Sequence, residues 1–149
     1  MSTRANVIIQ ETINLSAYMR PNRVDKLYFY RHSDGYPEGV MPILEKFIKW
    51  IKEDKIRDNL SQAAGWLVVL GAIEYNTIPA FKKEEPSYKG AKAYGDVESI
   101  EFPDDWKVGA FEPTTGIHGD IQHLYVVELS NKTVIEVPRE DWDKYGEID

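Results

Sequence analysis

Apolar and polar positions alternate in two short stretches near the start of the chain. Val7, Ile8 and Ile9 sit between polar neighbours and predict a first strand, and Lys26 to Arg31 (KLYFYR) predicts a second, because Leu, Tyr and Phe suit a half-buried pleated surface. Pro21-Asn22-Arg23 between them is a turn signal, so an antiparallel pair is expected. The segment His32 to Gly39 (HSDGYPEG) has two glycines and a proline, which forbid regular structure and make it a shaped loop. From Val40 the period changes. Val40, Ile43, Leu44, Phe47, Ile48 and Ile51 fall on one helical face, predicting a helix at Val40 to Glu53 with Pro42 in its first turn.

Asn59-Leu60-Ser61-Gln62 has capping-box spacing and starts a second helix, apolar nearly all round through Ile73 and therefore expected to be buried on several sides. Gly65 and Gly71 each weaken that helix by about 1 kcal/mol relative to alanine, which points to close packing against it. Residues 76–105, with Pro79, Pro86, Pro103, Gly90, Gly95 and a Lys-Lys-Glu-Glu run, read as a long surface connection in which only Val97 to Phe102 resembles a strand. Strand patterns return at Lys107 to Phe111, Leu124 to Leu129 and Thr133 to Val137, the last two joined as a hairpin by Ser130-Asn131-Lys132. Arg139 to Asp149 is an acidic tail in which Trp142 and Tyr145 are spaced for a short helical contact or a frayed end. The order β-β-α-α-(β)-β-β-β gives an α+β fold: an antiparallel β-sheet with two helices packed on one face, in a single domain over residues 1–149.

Composition narrows the chemistry. At 149 residues the chain can bury a sizeable core unaided, and without cysteine it offers no disulfide, zinc-thiolate site or cysteine nucleophile. No secretory signal or membrane-spanning run is read, so a cytoplasmic protein is expected, and Asn131-Lys132-Thr133 is a turn rather than a glycosylation site. Eighteen Lys and Arg against 25 Asp and Glu leave a net charge of −7, which disfavours duplex DNA as a partner because that affinity rests on phosphate neutralisation.

Two loops attract attention. His32-Ser33-Asp34 leaves a strand and enters a helix whose first N–H groups attract anions, with Arg31 and Tyr36 alongside. His118-Gly119-Asp120, followed by His123, precedes a later strand, and the two loops contain all three histidines of the chain. The aromatic run Tyr28-Phe29-Tyr30 and Trp66 read as core, and Arg4 as a residue that reaches a ligand or holds a surface carboxylate. No nucleophile elbow, GxxxxGK loop, GxGxxG turn or HExxH motif is present.

Thr3-Arg4-Ala5 followed by Tyr28-Phe29-Tyr30-Arg31-His32-Ser33-Asp34-Gly35-Tyr36-Pro37-Glu38-Gly39 resembles a group of small bacteriophage and prophage proteins that share a Tyr-x-His-x-Asp-Gly-Tyr-Pro signature. The resemblance is firmest through the Gly65-Trp66 helix and looser around Gly119-Asp120 and Leu124-Tyr125. It implies a setting rather than an activity: a viral product in a bacterial host cytoplasm, where small accessory proteins counter host defence and some sequester nucleotide signals.

The leading expectation is a non-catalytic protein that binds a small anionic, nucleotide-derived ligand through Arg4, Arg31, His32, Asp34, Tyr36, His118 and Asp120. The alternative is a phosphodiesterase or nuclease that holds Mn or Mg with His32, Asp34, His118, Asp120 and His123. A third reading is an acidic inhibitor of another protein, and a homo-oligomer is left open.

Overall fold

The computed structural model describes residues 3–82 and 109–149, with side chains described through residue 74 and again from 109. Strand β1 (Ala5–Ile13) pairs antiparallel with β2 (Arg23–Arg31), Ala5 opposite Arg31 and Ile13 opposite Arg23. Both strands outrun their apolar stretches because cross-strand hydrogen bonds continue into polar positions. The turn between them is a short 3-10 segment, Ser16–Tyr18, closed by Met19 in the left-handed conformation.

Helix α1 (Pro37–Lys52) begins three residues before the expected point. Pro37, not Pro42, occupies its first turn, where a missing N–H costs nothing. Pro42 lies inside the helix and leaves the Glu38 carbonyl without its partner four residues on. The predicted stripe from Val40 to Ile51 is buried in full, together with Trp50. Helix α2 (Leu60–Lys82) opens as its capping signal implies, the Asn59 Oδ1 accepting the Gln62 N–H at 3.2 Å. It therefore takes in residues 76–82, which the sequence assigned to a connection; the rest of that connection, including Val97 to Phe102, lies outside the described residues.

Three short strands complete the sheet: β3 (Glu112–Thr114), β4 (His123–Glu128) and β5 (Thr133–Glu136), in the order β3-β2-β1-β4-β5. Of the expected strand Lys107 to Phe111, the described part, Gly109 to Phe111, is a turn, and pairing starts at Glu112. With Pro113 at its centre, β3 is confined to an edge, where a missing N–H is tolerated. The sheet is mixed rather than wholly antiparallel, because β4 lies parallel to β1 with Ala5 beside His123. A two-residue period is the same in either direction, so the sequence pattern could not reveal that β4 returns by crossover.

Ala5, Val7, Ile9, Phe29, Tyr125 and Val127 face the two helices and form the main core. The other face carries Ile8, Leu124 and Val126, and it too is covered, by Ile117, Ile121, Val137 and Trp142. Trp142 sits in a 3-10 segment, Arg139–Lys144, with its indole N–H bonded to the Val137 carbonyl at 3.0 Å, so this end of the acidic tail is docked and not frayed. Among the described residues no helix is long and apolar enough to cross a membrane.

The two helical glycines differ. A Cβ on Gly71 would lie 2.6 Å from the Phe111 ring and 3.1 Å from the Ala110 Cβ, whereas one on Gly65 would meet nothing within 4 Å among the described residues. Gly71→Ala is therefore expected to destabilise by about 1–3 kcal/mol through overpacking, against the helix preference for alanine. Urea denaturation measures it, and a variant as stable as the parent would mean that the Phe111 ring yields freely.

Candidate functional site

Strand alternation decides which way β2 points its side chains. Phe29 and Arg31 turn toward the helices, and Tyr28 and Tyr30 turn to the opposite face. On that second face the two histidine loops meet, and Tyr30 is what they meet on. Its hydroxyl donates to the Asp120 carboxylate at 3.2 Å and lies 3.4 Å from His32 Nδ1. Its ring stacks on the His118 imidazole, centroids 4.2 Å apart and planes 18° apart. The His118 Nε2 is 2.9 Å from the Thr114 hydroxyl on β3. Desolvation first, and then the Asp120 carboxylate, raise the Tyr30 pKa above its ordinary value, so the phenol keeps its proton and acts as a hydrogen-bond donor.

Arg4 closes the group. Its Nε stands 3.5 Å from the same Asp120 oxygen, and that nitrogen is sealed from solvent without a hydrogen-bond partner. Its backbone is held at the sheet end by Gln122: the Arg4 N–H reaches the Gln122 side-chain oxygen at 3.2 Å and the Gln122 N–H returns to the Arg4 carbonyl at 2.9 Å. Arg4, His32, His118 and Asp120 are thus brought together from three distant parts of the chain.

The loop carrying His118 is fixed by Asn6, which is fully buried on β1. Its amide nitrogen donates to the carbonyls of Phe29 at 2.8 Å and Gly116 at 3.4 Å, and its oxygen accepts the His118 N–H at 2.8 Å. The first histidine loop is fixed on the other side. The Gly35 N–H bonds to the Thr3 carbonyl at 2.9 Å, and the Tyr125 hydroxyl, its pKa pushed up mainly by burial, donates to the Gly35 carbonyl at 2.7 Å. Gly35 is required by this contact, since a Cβ there would lie 2.8 Å from the Ala5 Cβ and 2.9 Å from the Arg4 backbone.

Four expected members stand apart. Arg31 is 4 % exposed, with both terminal nitrogens bonded to the Glu74 carboxylate at 2.8 Å and its guanidinium over the Phe111 ring. Its place is in the core, because strand alternation turned it inward. Asp34, in the left-handed conformation, bonds its carbonyl to Arg31 Nε and pairs its carboxylate with the Tyr36 hydroxyl, whose pKa that carboxylate raises. Those two therefore form a separate pair at the start of α1. His123 lies on the helix-facing side of β4, 2.7 Å from a Glu136 oxygen.

This dispersal corrects the expected Mn or Mg site. Among the described residues no three His, Asp or Glu side chains converge to hold a metal ion, and His32, Asp34, His118, Asp120 and His123 are divided among the three locations just described. Tyr30, Thr114 and Asn6 were missed by sequence reasoning. For Tyr30 the signal was present: with Phe29 in the core, alternation puts both neighbouring tyrosines on the other face. Comparison with family models, curated proteins and solved structures finds no match for this chain.

Proposed function

We propose that the Tyr30 cluster binds a small anionic, nucleotide-derived ligand, in a phage-encoded protein that sequesters such a signal in the host cytoplasm. The observation that carries this reading is the Arg4 guanidinium at the cluster, held by one ion pair of 3.5 Å and otherwise free of partners among the described residues. A phosphate there would bring the charge-assisted hydrogen bonds that Asp120 alone does not supply. The exposed His32 imidazole is a second donor to the anion, and its ring offers a face for a base. Asp120 accepts from a ligand N–H, and the protonated Tyr30 phenol donates.

The test is a thermal-shift series with inorganic phosphate and with linear and cyclic nucleotides. A ligand at one hundred times its dissociation constant stabilises the folded state by about 2.7 kcal/mol, which is about 5–10 °C for a chain of this length. Arg4→Ala and His32→Ala are expected to abolish the shift while leaving the circular-dichroism spectrum intact. If none of these compounds moves the midpoint, the reading fails.

A further inference from the structure

The sheet is three strands wide at β1 only as far as Gln10, where pairing with β4 stops. Beyond it, Glu11 to Ile13 and Arg23 to Asp25 continue as a two-stranded arm. The base of the arm is tied to the rest of the molecule by the Ser130 hydroxyl, which accepts the Thr12 N–H at 3.0 Å and donates to the Thr12 carbonyl at 3.3 Å, and its end is held by its own bonds. The Ser16 N–H reaches the Asn14 side chain at 2.9 Å, and the N–H groups of Tyr18 and Arg20 both return to the Leu15 carbonyl. This frame holds Tyr18 73 % and Met19 95 % exposed, the methionine at a φ of 55° that side-chain-bearing residues rarely adopt. A rigid tip that presents a tyrosine, a methionine and Arg20 has the composition of a binding anchor already organised for its partner.

Helix α2 has a complementary gap. Residues 59–73 carry no charge, and Ala64, Trp66, Val68 and Val69 are only partly buried. In their midst Gly65 is exposed, with nothing among the described residues within 4 Å of where its Cβ would be. Alanine there would strengthen the helix, and unlike Gly71 this glycine is not required by any neighbour among the described residues.

We propose that the tip of one copy seats on the Gly65 face of α2 in a second copy, reciprocally about a two-fold axis. Charge favours a second copy as the occupant. Residues 14–22 carry one charge, Arg20, and its complement lies beside the seat. Just before α2, Glu53, Asp54 and Asp58 outnumber Lys55 and Arg57, and Lys55 is already paired with Glu53 at 3.4 Å. The placement also suits reciprocal exchange. The Glu11 carboxylate at the base of the arm accepts the Leu60 N–H at 3.2 Å, so tip and seat are neighbours on each copy, as a self-complementary interface needs.

Sedimentation velocity of the full chain over a concentration series, at low and high salt, tests this. A monomer–dimer equilibrium that weakens with salt is expected. Met19→Asp and Tyr18→Ala should each raise the dissociation constant by about tenfold or more, as loss of a central anchor does. Gly65→Leu should do the same while raising the thermal midpoint of the monomer, a combination that misfolding cannot produce. A chain that stays monomeric at millimolar concentration overturns the proposal, as does a dimer that survives both Met19→Asp and Gly65→Leu. Binding of the monomer to phosphatidylserine vesicles through the same tip, without self-association, would overturn it in favour of a membrane surface.

Discussion

Asn6→Leu is expected to lower stability by about 2–5 kcal/mol and to release the loop that carries His118, although leucine nearly matches asparagine in size. The reason is what the change leaves behind. The carbonyls of Phe29 and Gly116 and the N–H of His118 all bond to this one buried amide. A buried group left without a partner costs about 1–3 kcal/mol, and this change takes a partner from three groups at once. Chemical denaturation gives the stability, and the ring-current shift of His118 from its stacking on Tyr30 reports the loop. An unchanged denaturation midpoint together with an unchanged His118 shift would show that Asn6 does not hold the loop.

Cutting the Arg31–Glu74 pair on one side should have an equally large effect. Glu74→Leu leaves a guanidinium 4 % exposed with nothing to balance its charge, and breaking a buried pair in this way costs about 3–5 kcal/mol. The double variant Arg31→Met/Glu74→Leu should recover most of that loss, because an apolar pair fills the same volume without a desolvation cost. Arg31 also bonds the Asp34 carbonyl through Nε, so the double variant should speed amide exchange at Gly35 even where global stability returns. A denaturation cycle in which the two single changes simply add would refute a coupled pair.

Periodicity along the chain was enough to find β1, β2, α1, the start of α2 and the β4–β5 hairpin, because each has a pattern one element long. The α+β class followed from their order. What escaped depends on relations between elements. The parallel pairing of β1 with β4, the edge position of β3 and the covering of the second sheet face are set by where distant segments come to rest. The site shows the same division. The two His-x-Asp loops were visible in the sequence, but their meeting point was a tyrosine assigned to the core, and the buried asparagine between two apolar strand residues carried no pattern at all. Arg31 was misread for a related reason: next to His32 in sequence, it lies on the opposite side of the strand.

The parallel β1–β4 ladder also sets a schedule. Arg4 and Gln122, which bond across it, are 118 residues apart, so during synthesis the strand at the centre of the sheet is made first and its neighbour among the last. At about 5–20 residues per second, roughly ten seconds pass in which Val7 to Ile9 keep one open hydrogen-bonding edge. The β1–β2 hairpin has formed long before then, and an unpaired apolar edge is a template for any other strand that reaches it. Arg4, Tyr30 and His32 wait through the same interval for His118 and Asp120, so the cluster is completed only when that edge is closed.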